Sequence, residues 1–195
     1  MQYDAATMGN HDFDAGLDGF ALQLPHARFP ILVANYDFSD TMLQDKVLRY
    51  TTFQKQEIKV GVFGIGIELK GLVPESLYGK TQYLDPISIA QQTADTLRHT
   101  EGCDYVICLS HLGYQYADSK VSDIVLAQKT SGIDLILGGH THTFLNEPVK
   151  YKNLADQDVY INQVGWAGVW LGRIDVFFEK NRVKKWHSEI GRAHV

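Results

Sequence analysis

Two apolar runs each pass without a linker into a histidine turn. Tyr105–Leu109 (Y-V-I-C-L) leads into S-H-L-G, Ser110–Gly113, and Ile133–Leu137 (I-D-L-I-L) leads into G-G-H-T-H-T, Gly138–Thr143. Short β-branched runs bounded by Gly, Ser and Asp read as strands, and helical periodicity lies between them. The order strand, helix, strand, helix, strand restricts the chain to an α/β domain with a partly parallel sheet. In such sheets ligands gather beyond the C-terminal ends of the strands, because the loops converge there. Two histidine turns at two strand ends are therefore placed to meet.

The remaining pattern agrees with this frame. Leu17, Phe20, Ala21 and Leu24 recur at helical spacing, and Pro25 and Pro30 punctuate the segment that follows. Ile31–Asn35 reads as a buried strand, and Leu48–Phe53 and Ile58–Ile67 as a strand pair joined by a polar turn. Asp85-Pro86 is a helix start, with Asp as N-cap and Pro at the first helical position. Ile87, Ala90, Ala94 and Leu97 continue that helix, Gly102 stops it, and a second helix covers about Ser122–Lys129. The last third reads all-β, with strands near Val159–Gln163, Val169–Phe178 and Val183–His187 and a turn at Lys180–Arg182, so a second sheet is expected.

Charge and cysteines narrow the function. A net charge of −5 over 195 residues argues against a nucleic-acid partner, whose binding surface usually carries a basic excess. No apolar run approaches the roughly 18–20 residues of a membrane span. Cys103 and Cys108 lie in or beside one apolar run. Five residues apart on an extended chain they point to opposite faces and cannot bridge, so both read as small core residues.

Four of the eight histidines, His11, His111, His140 and His142, sit in short Gly- or Ser-flanked turns. If G-G-H-T-H is extended, His140 and His142 point the same way and can serve one metal or one each of a close pair. Imidazole suits zinc, iron or manganese, and Asn10 adds a harder oxygen donor. Each histidine taken singly reads equally well as a surface residue; together they argue for one site. His26, His99, His187 and His194 have no such setting and read as structural or surface groups.

Three ordered segments carry a resemblance: G-N-H-D-F-D (Gly9–Asp14), S-H-L-G (Ser110–Gly113) and G-G-H-T-H-T (Gly138–Thr143). In that order they resemble the calcineurin-like metallophosphoesterases, and within them the 5′-nucleotidase group with its UDP-sugar hydrolases and 2′,3′-cyclic-nucleotide phosphodiesterases. P-I-L-V-A-N (Pro30–Asn35), V-G-V-F-G-I (Val60–Ile65) and Q-V-G-W-A-G-V-W-L-G (Gln163–Gly172) support it, and the likeness covers roughly residues 3–187.

The resemblance implies a four-layer α/β/β/α sandwich and two divalent metal ions, manganese, zinc, magnesium or cobalt. By motif position Asn10, His111 and His140 resemble ligands of one ion and His142 a ligand of the other. His11 resembles the catalytic histidine, Asp14 the carboxylate that holds it, and Asn10 and His11 the groups facing the substrate phosphate. Asp12 stands where the group more often has Glu and receives no role. The implied activity is hydrolysis of nucleoside monophosphates. A cyclic-nucleotide phosphodiesterase or UDP-sugar hydrolase is the alternative, and a non-catalytic metal-binding surface domain the alternative of another class.

The family's D-x-H and G-D motifs do not precede Gly9. The chain is therefore expected to be a piece of a longer enzyme, a partial catalytic domain over residues 1–188, lacking a C-terminal substrate-binding domain and inactive by itself. E-I-G-R-A-H-V ends the chain, and residues 189–195 are expected to form an artefactual or disordered tail. The family is mostly exported to the periplasm or cell surface, and no signal peptide is visible in this sequence.

Overall fold

The apolar runs become the interior strands of one mixed sheet. A computed structural model describes residues 3–179 and 182–192. In chain order the strands are β1 (Ala6–Thr7), β2 (Ile31–Leu32), β3 (Tyr36–Asp37), β4 (Tyr50–Lys55), β5 (Ile58–Ile65), β6 (Gln82–Tyr83) and β7 (Tyr105–Ser110). There follow β8 (Leu135–Leu137), β9 (Val149–Lys152), β10 (Asp158–Asn162), β11 (Trp170–Glu179) and β12 (Arg182–Arg192). The helices are α1 (Gly16–Gln23), α2 (Glu75–Tyr78), α3 (Pro86–Asp95) and α4 (Asp123–Lys129). The central sheet has the order β4-β5-β7-β8-β10-β9. Its four middle strands run parallel, and β4 and β9 close the edges antiparallel.

Parallel neighbours need a crossover between them, and the sequence provides helices at those places. α3 joins β5 to β7, and α4 joins β7 to β8. Asp85 caps α3, its carboxylate accepting from Ser88 N at 2.7 Å, and Pro86 opens the helix. A π-turn over Thr96–Thr100 ends the helix before Gly102, which sits at φ +68°. Arg98 in that turn donates to the carbonyls of Gly132, Cys103 and Asp104 and pairs with Asp134, pinning the N-terminal ends of β7 and β8.

Two apolar cores separate the layers. Ile89, Ala90, Ala94 and Leu97 with Leu126 and Ala127 pack against Phe63, Ile65, Val106, Ile136 and Ile161 of the sheet. Cys103 and Cys108 lie in this same core as free thiols, and burial pushes the Cys108 thiol well up. The second core, Met8, Phe13, Val33, Tyr36, Phe38 and Leu43, is covered by Leu17, Phe20, Ala21 and Leu24 of α1. The class is α/β, as the periodicity indicated.

Several expectations change. Only Ile31 and Leu32 of the Ile31–Asn35 run pair as a strand. Beyond them Val33 N turns to Leu48 O and Ala34 N to Gly64 O. The buried Asn35 amide exchanges hydrogen bonds with both backbone groups of Gly66, so a side chain replaces the ladder. The Val159–Gln163 run does not start a second sheet: β10 joins the main sheet beside β8, because Val159 and Ile161 are buried in the central core. Of the strands after β8, β11 and β12 pair as a ribbon of their own, and β1-β2 and β3-β6 form two further short pairs. β12 continues through Gly191 and Arg192, past the expected end near His187, because β11 offers ten residues of partner down to Trp170. Cys103 precedes β7, so the two thiols are not on one strand. Residues 180 and 181 of the expected turn, and His194 and Val195, lie outside the described residues.

Candidate active site

The parallel ladder delivers the first histidine. His111 N donates to Ile65 O at 2.8 Å, one step beyond the last residue of β7, and the imidazole emerges at the strand end. Asn10 comes from a one-turn 3₁₀ helix, Asn10–Phe13, that follows the buried Met8 after its N-cap Gly9. Asp12 holds that turn: its carboxylate accepts from Gly9 N at 2.7 Å while Asp12 N donates to Gly9 O. The residue left without a role by the sequence is thus the cap of the turn that carries Asn10 and His11. Gly9 is glycine for space, since a Cβ there would come within 2.5 Å of the His111 ring.

Three expected site residues converge on one atom. Asn10 Oδ1 lies 3.2 Å from His111 Nε2 and 3.0 Å from His140 Nδ1. The two rings meet edge to face with centroids 5.3 Å apart. Burial first, then the neighbouring histidines His140, His11 and His142, pulls the His111 pKa down to about 4. His140 is lowered for the same reason, burial first and then His142, His11 and Lys120. Both imidazoles are therefore neutral at neutral pH, the form that offers a lone pair to a metal. His11 stands beside this group with its Nδ1 2.9 Å from Asp14 Oδ2; the pair is open to solvent, at 78% and 67% side-chain exposure.

His142 does not join them. Its ring stacks on Trp166 at 5.7 Å and 20°. The extended reading of G-G-H-T-H fails here. His140 and His142 both have left-handed backbone, at φ +71° and +54°, so side chains two apart no longer point the same way. Non-glycine residues in that region cost of order 1 kcal/mol each and concentrate at functional sites. A polar clamp maintains the turn. Buried Gln163 donates from Nε2 to Gly139 O at 2.7 Å, while its Oε1 accepts from Thr143 N and Thr141 Oγ1. Thr141 Oγ1 in turn accepts from Tyr114 N.

Sequence reasoning missed Gln163 and Asp123. Gln163 was visible only as the start of Q-V-G-W. Asp123 looks in the sequence like an ordinary first-turn helix residue, yet its carboxyl is fully buried, with Oδ1 accepting from Ser110 Oγ and Oδ2 without a hydrogen-bond partner among the described residues. Desolvation raises its pKa to about 7, partly offset by the Ser110 hydrogen bond. Neither environment can be read from local sequence.

One amide oxygen with two neutral imidazoles, each with a nitrogen within 3.2 Å of it, is a donor set that fits a single divalent ion of the zinc, manganese or cobalt kind. Among the described residues no group of three or more His, Cys, Asp and Glu side chains gathers as a metal cage, so the amide oxygen of Asn10 is part of the set.

Residues 2–144 match the calcineurin-like phosphoesterase family. The chain is 32% identical to the trifunctional nucleotide phosphoesterase protein YfkN of Bacillus subtilis, over 94% of this chain and 14% of that protein. It is 32% identical to a 5′-nucleotidase of Vibrio vulnificus, over 93% of this chain and 36% of that one. A 5′-nucleotidase precursor from Thermus thermophilus superposes with a TM-score of 0.87 at 29% identity, covering 97% of this chain and 39% of its own. The chain thus spans little more than a third, at most, of these proteins, and its fold is that of the metallophosphoesterase domain they share.

Proposed function

The chain belongs to the calcineurin-like phosphoesterases, and on that footing we propose that it is the catalytic part of a metal-dependent hydrolase of nucleotide phosphate esters, with nucleoside monophosphates as substrate. The observation that carries this reading is the convergence of Asn10, His111 and His140 beside the His11–Asp14 pair.

In this reading Asn10 Oδ1, His111 Nε2 and His140 Nδ1 would hold one divalent ion, while His142, the implied ligand of a second, stacks on Trp166 instead. A divalent ion bound there would supply charge to neutralise phosphate oxygens and a water acidic enough to serve as nucleophile. The protein's own groups do the rest. The turn capped by Asp12 brings Asn10 and His11 to the phosphate from one side. The Asp14 carboxylate fixes the His11 ring through Nδ1 and leaves its far edge to solvent, where a leaving ribose oxygen takes a proton from it. Burial keeps His111 and His140 neutral, so neither competes with His11 as proton donor.

A further part of the proposal is that the 195-residue chain binds one ion, through Asn10, His111 and His140, and hydrolyses little by itself. That same set favours one reading from another class, a metal-binding surface domain without catalysis. An exported setting, periplasm or cell surface, belongs to the nucleotidase proposal; among the described residues no helix is long and apolar enough to cross a membrane.

Assay of the full-length protein against AMP, bis-p-nitrophenyl phosphate and UDP-glucose, with and without chelator, tests the proposal. Chelator-sensitive release of phosphate from AMP is expected. Hydrolysis of the diester alone, or of UDP-glucose alone, moves the substrate to the corresponding alternative. Inertness toward all three under added manganese leaves the non-catalytic reading. Brisk AMP hydrolysis by the 195-residue chain would overturn the one-ion statement.

A further inference from the structure

We propose that Asp123 is a positioning residue, a buried carboxylate that sets the two strand-end turns presenting His111 and His140. The inference rests on the metal-site reading above, but on different atoms. Asp123 is the first residue of α4 and is fully buried. Ser110 Oγ donates to its Oδ1 at 2.5 Å, and the same Oγ accepts from Leu112 N at 3.1 Å. Asp123 N donates to Gly113 O at 2.8 Å. The segment 110–113, with His111 inside it, is therefore tied to Asp123 at both ends.

The other oxygen faces the other turn. A Cβ on Gly138 would overlap Asp123 Oδ2, so the carboxylate packs directly on the bare Cα of the residue that opens G-G-H. Gly138 N continues the sheet ladder to Asn162 O at 2.8 Å, and Gln163 grips the next carbonyl, Gly139 O. One side chain thus sets the spacing between the end of β7 and the end of β8, the two places from which His111 and His140 reach Asn10.

Stability does not account for this arrangement. A buried carboxylate with an unpartnered oxygen is costly, and such groups in native proteins need another reason to persist. The groups around it are Ser110 from β7, Gly138 from the turn after β8, and Cys108 and Tyr116, whose own ionisation its charge opposes. Among the described residues no cation contributes to its environment. Side chains that orient metal-binding histidines from behind typically change metal affinity by about 10–100-fold when removed.

The test is Co²⁺ affinity of the 195-residue chain by isothermal titration calorimetry, with thermal unfolding measured alongside. Asp123→Ala and Ser110→Ala are each expected to weaken Co²⁺ binding about tenfold or more. Asp123→Asn keeps an acceptor for Ser110 Oγ and is expected to bind within about threefold of the parent chain. If Asp123→Ala does not fold, Ser110→Ala decides. Parent affinity in Ser110→Ala, with or without a lowered melting temperature, overturns the proposal, as does an Asn variant as weak as an Ala variant that folds. His140→Ala is the separate control. If the parent chain binds no Co²⁺, or if His140→Ala binds as tightly as the parent, the ligand assignment fails, whatever Asp123 does.

Discussion

Gly9→Ala is the sharpest perturbation of the proposed metal site, because it moves a ligand without touching one. Gly9 has extended backbone, φ −110° and ψ 178°, which alanine adopts without strain. The added Cβ would lie 2.5 Å from His111 Cε1 and 2.6 Å from Nε2, whereas ordinary contact begins at 3.4 Å. The His111 ring must therefore retreat by about 0.9 Å, or the turn must lift by the same amount, and either separates Nε2 from Asn10 Oδ1. Binding constellations tolerate errors of only about 0.5 Å, and disturbing a metal-binding histidine costs about 10–100-fold in affinity. The expected result is a Co²⁺ or Mn²⁺ dissociation constant raised about 10–100-fold. The loss of folding stability stays near 1 kcal/mol, at the mild end of overpacking, because the obstacle is a side chain at the site's edge rather than backbone. Calorimetric titration with each ion and urea unfolding of the same samples measure both quantities. Unchanged ion affinity, with a crystal structure showing His111 in place, would refute the claim that the ring needs the space above Gly9.

Three further outcomes are expected. The Asp123 carboxyl titrates near 3.8 when unfolded and about 7 when folded, so between those values the folded state holds a proton the unfolded state has lost. Its contribution is fully favourable below about pH 4 and falls by about 4 kcal/mol as pH rises through 7. Asp123→Asn should therefore gain stability relative to the parent chain by up to that amount between about pH 4 and pH 8, and parallel urea-unfolding curves would contradict it. Arg98→Ala leaves the partly buried Asp134 without its cation and removes three carbonyl hydrogen bonds, so chemical denaturation should show a loss of about 3 kcal/mol. Trp166→Ala removes the stack on His142, and the ring-current displacement of the His142 proton resonances should vanish while stability falls by only about 1 kcal/mol, since Trp166 is exposed.

The parts of this protein written locally were legible in advance. Asp85-Pro86 announces α3 because a capping carboxylate and a donor-free first residue act within one turn. The apolar runs before Ser110 and Gly138 announce β7 and β8 because their burial leaves no polar side to disguise them. His11 and Asp14 hydrogen-bond three apart in one turn, the pairing that the motif's resemblance implied. β9 escaped notice because V-K-Y-K is a short edge strand whose alternating lysines look like loop. β10 was placed in the wrong sheet because nothing in Asp158–Asn162 states which neighbour it will pair with. Asp123 and Gln163 escaped because their meaning lies in what surrounds them, not in what precedes them.

By itself, then, the sequence determined the α/β class and the order of the crossovers, since these depend on periodicity and capping, while the resemblance of its motifs named the candidate site residues. The tertiary structure alone decided which of those groups meet. Asn10 reaches residues 101 and 130 positions away only because parallel pairing brings the ends of β7 and β8 side by side above the first turn. It also decided that His142 turns away from His140, because two left-handed residues held by Gln163 break the alternation that an extended chain would impose. Distances between side chains far apart in the chain are set by packing and ladder register, which no local pattern encodes.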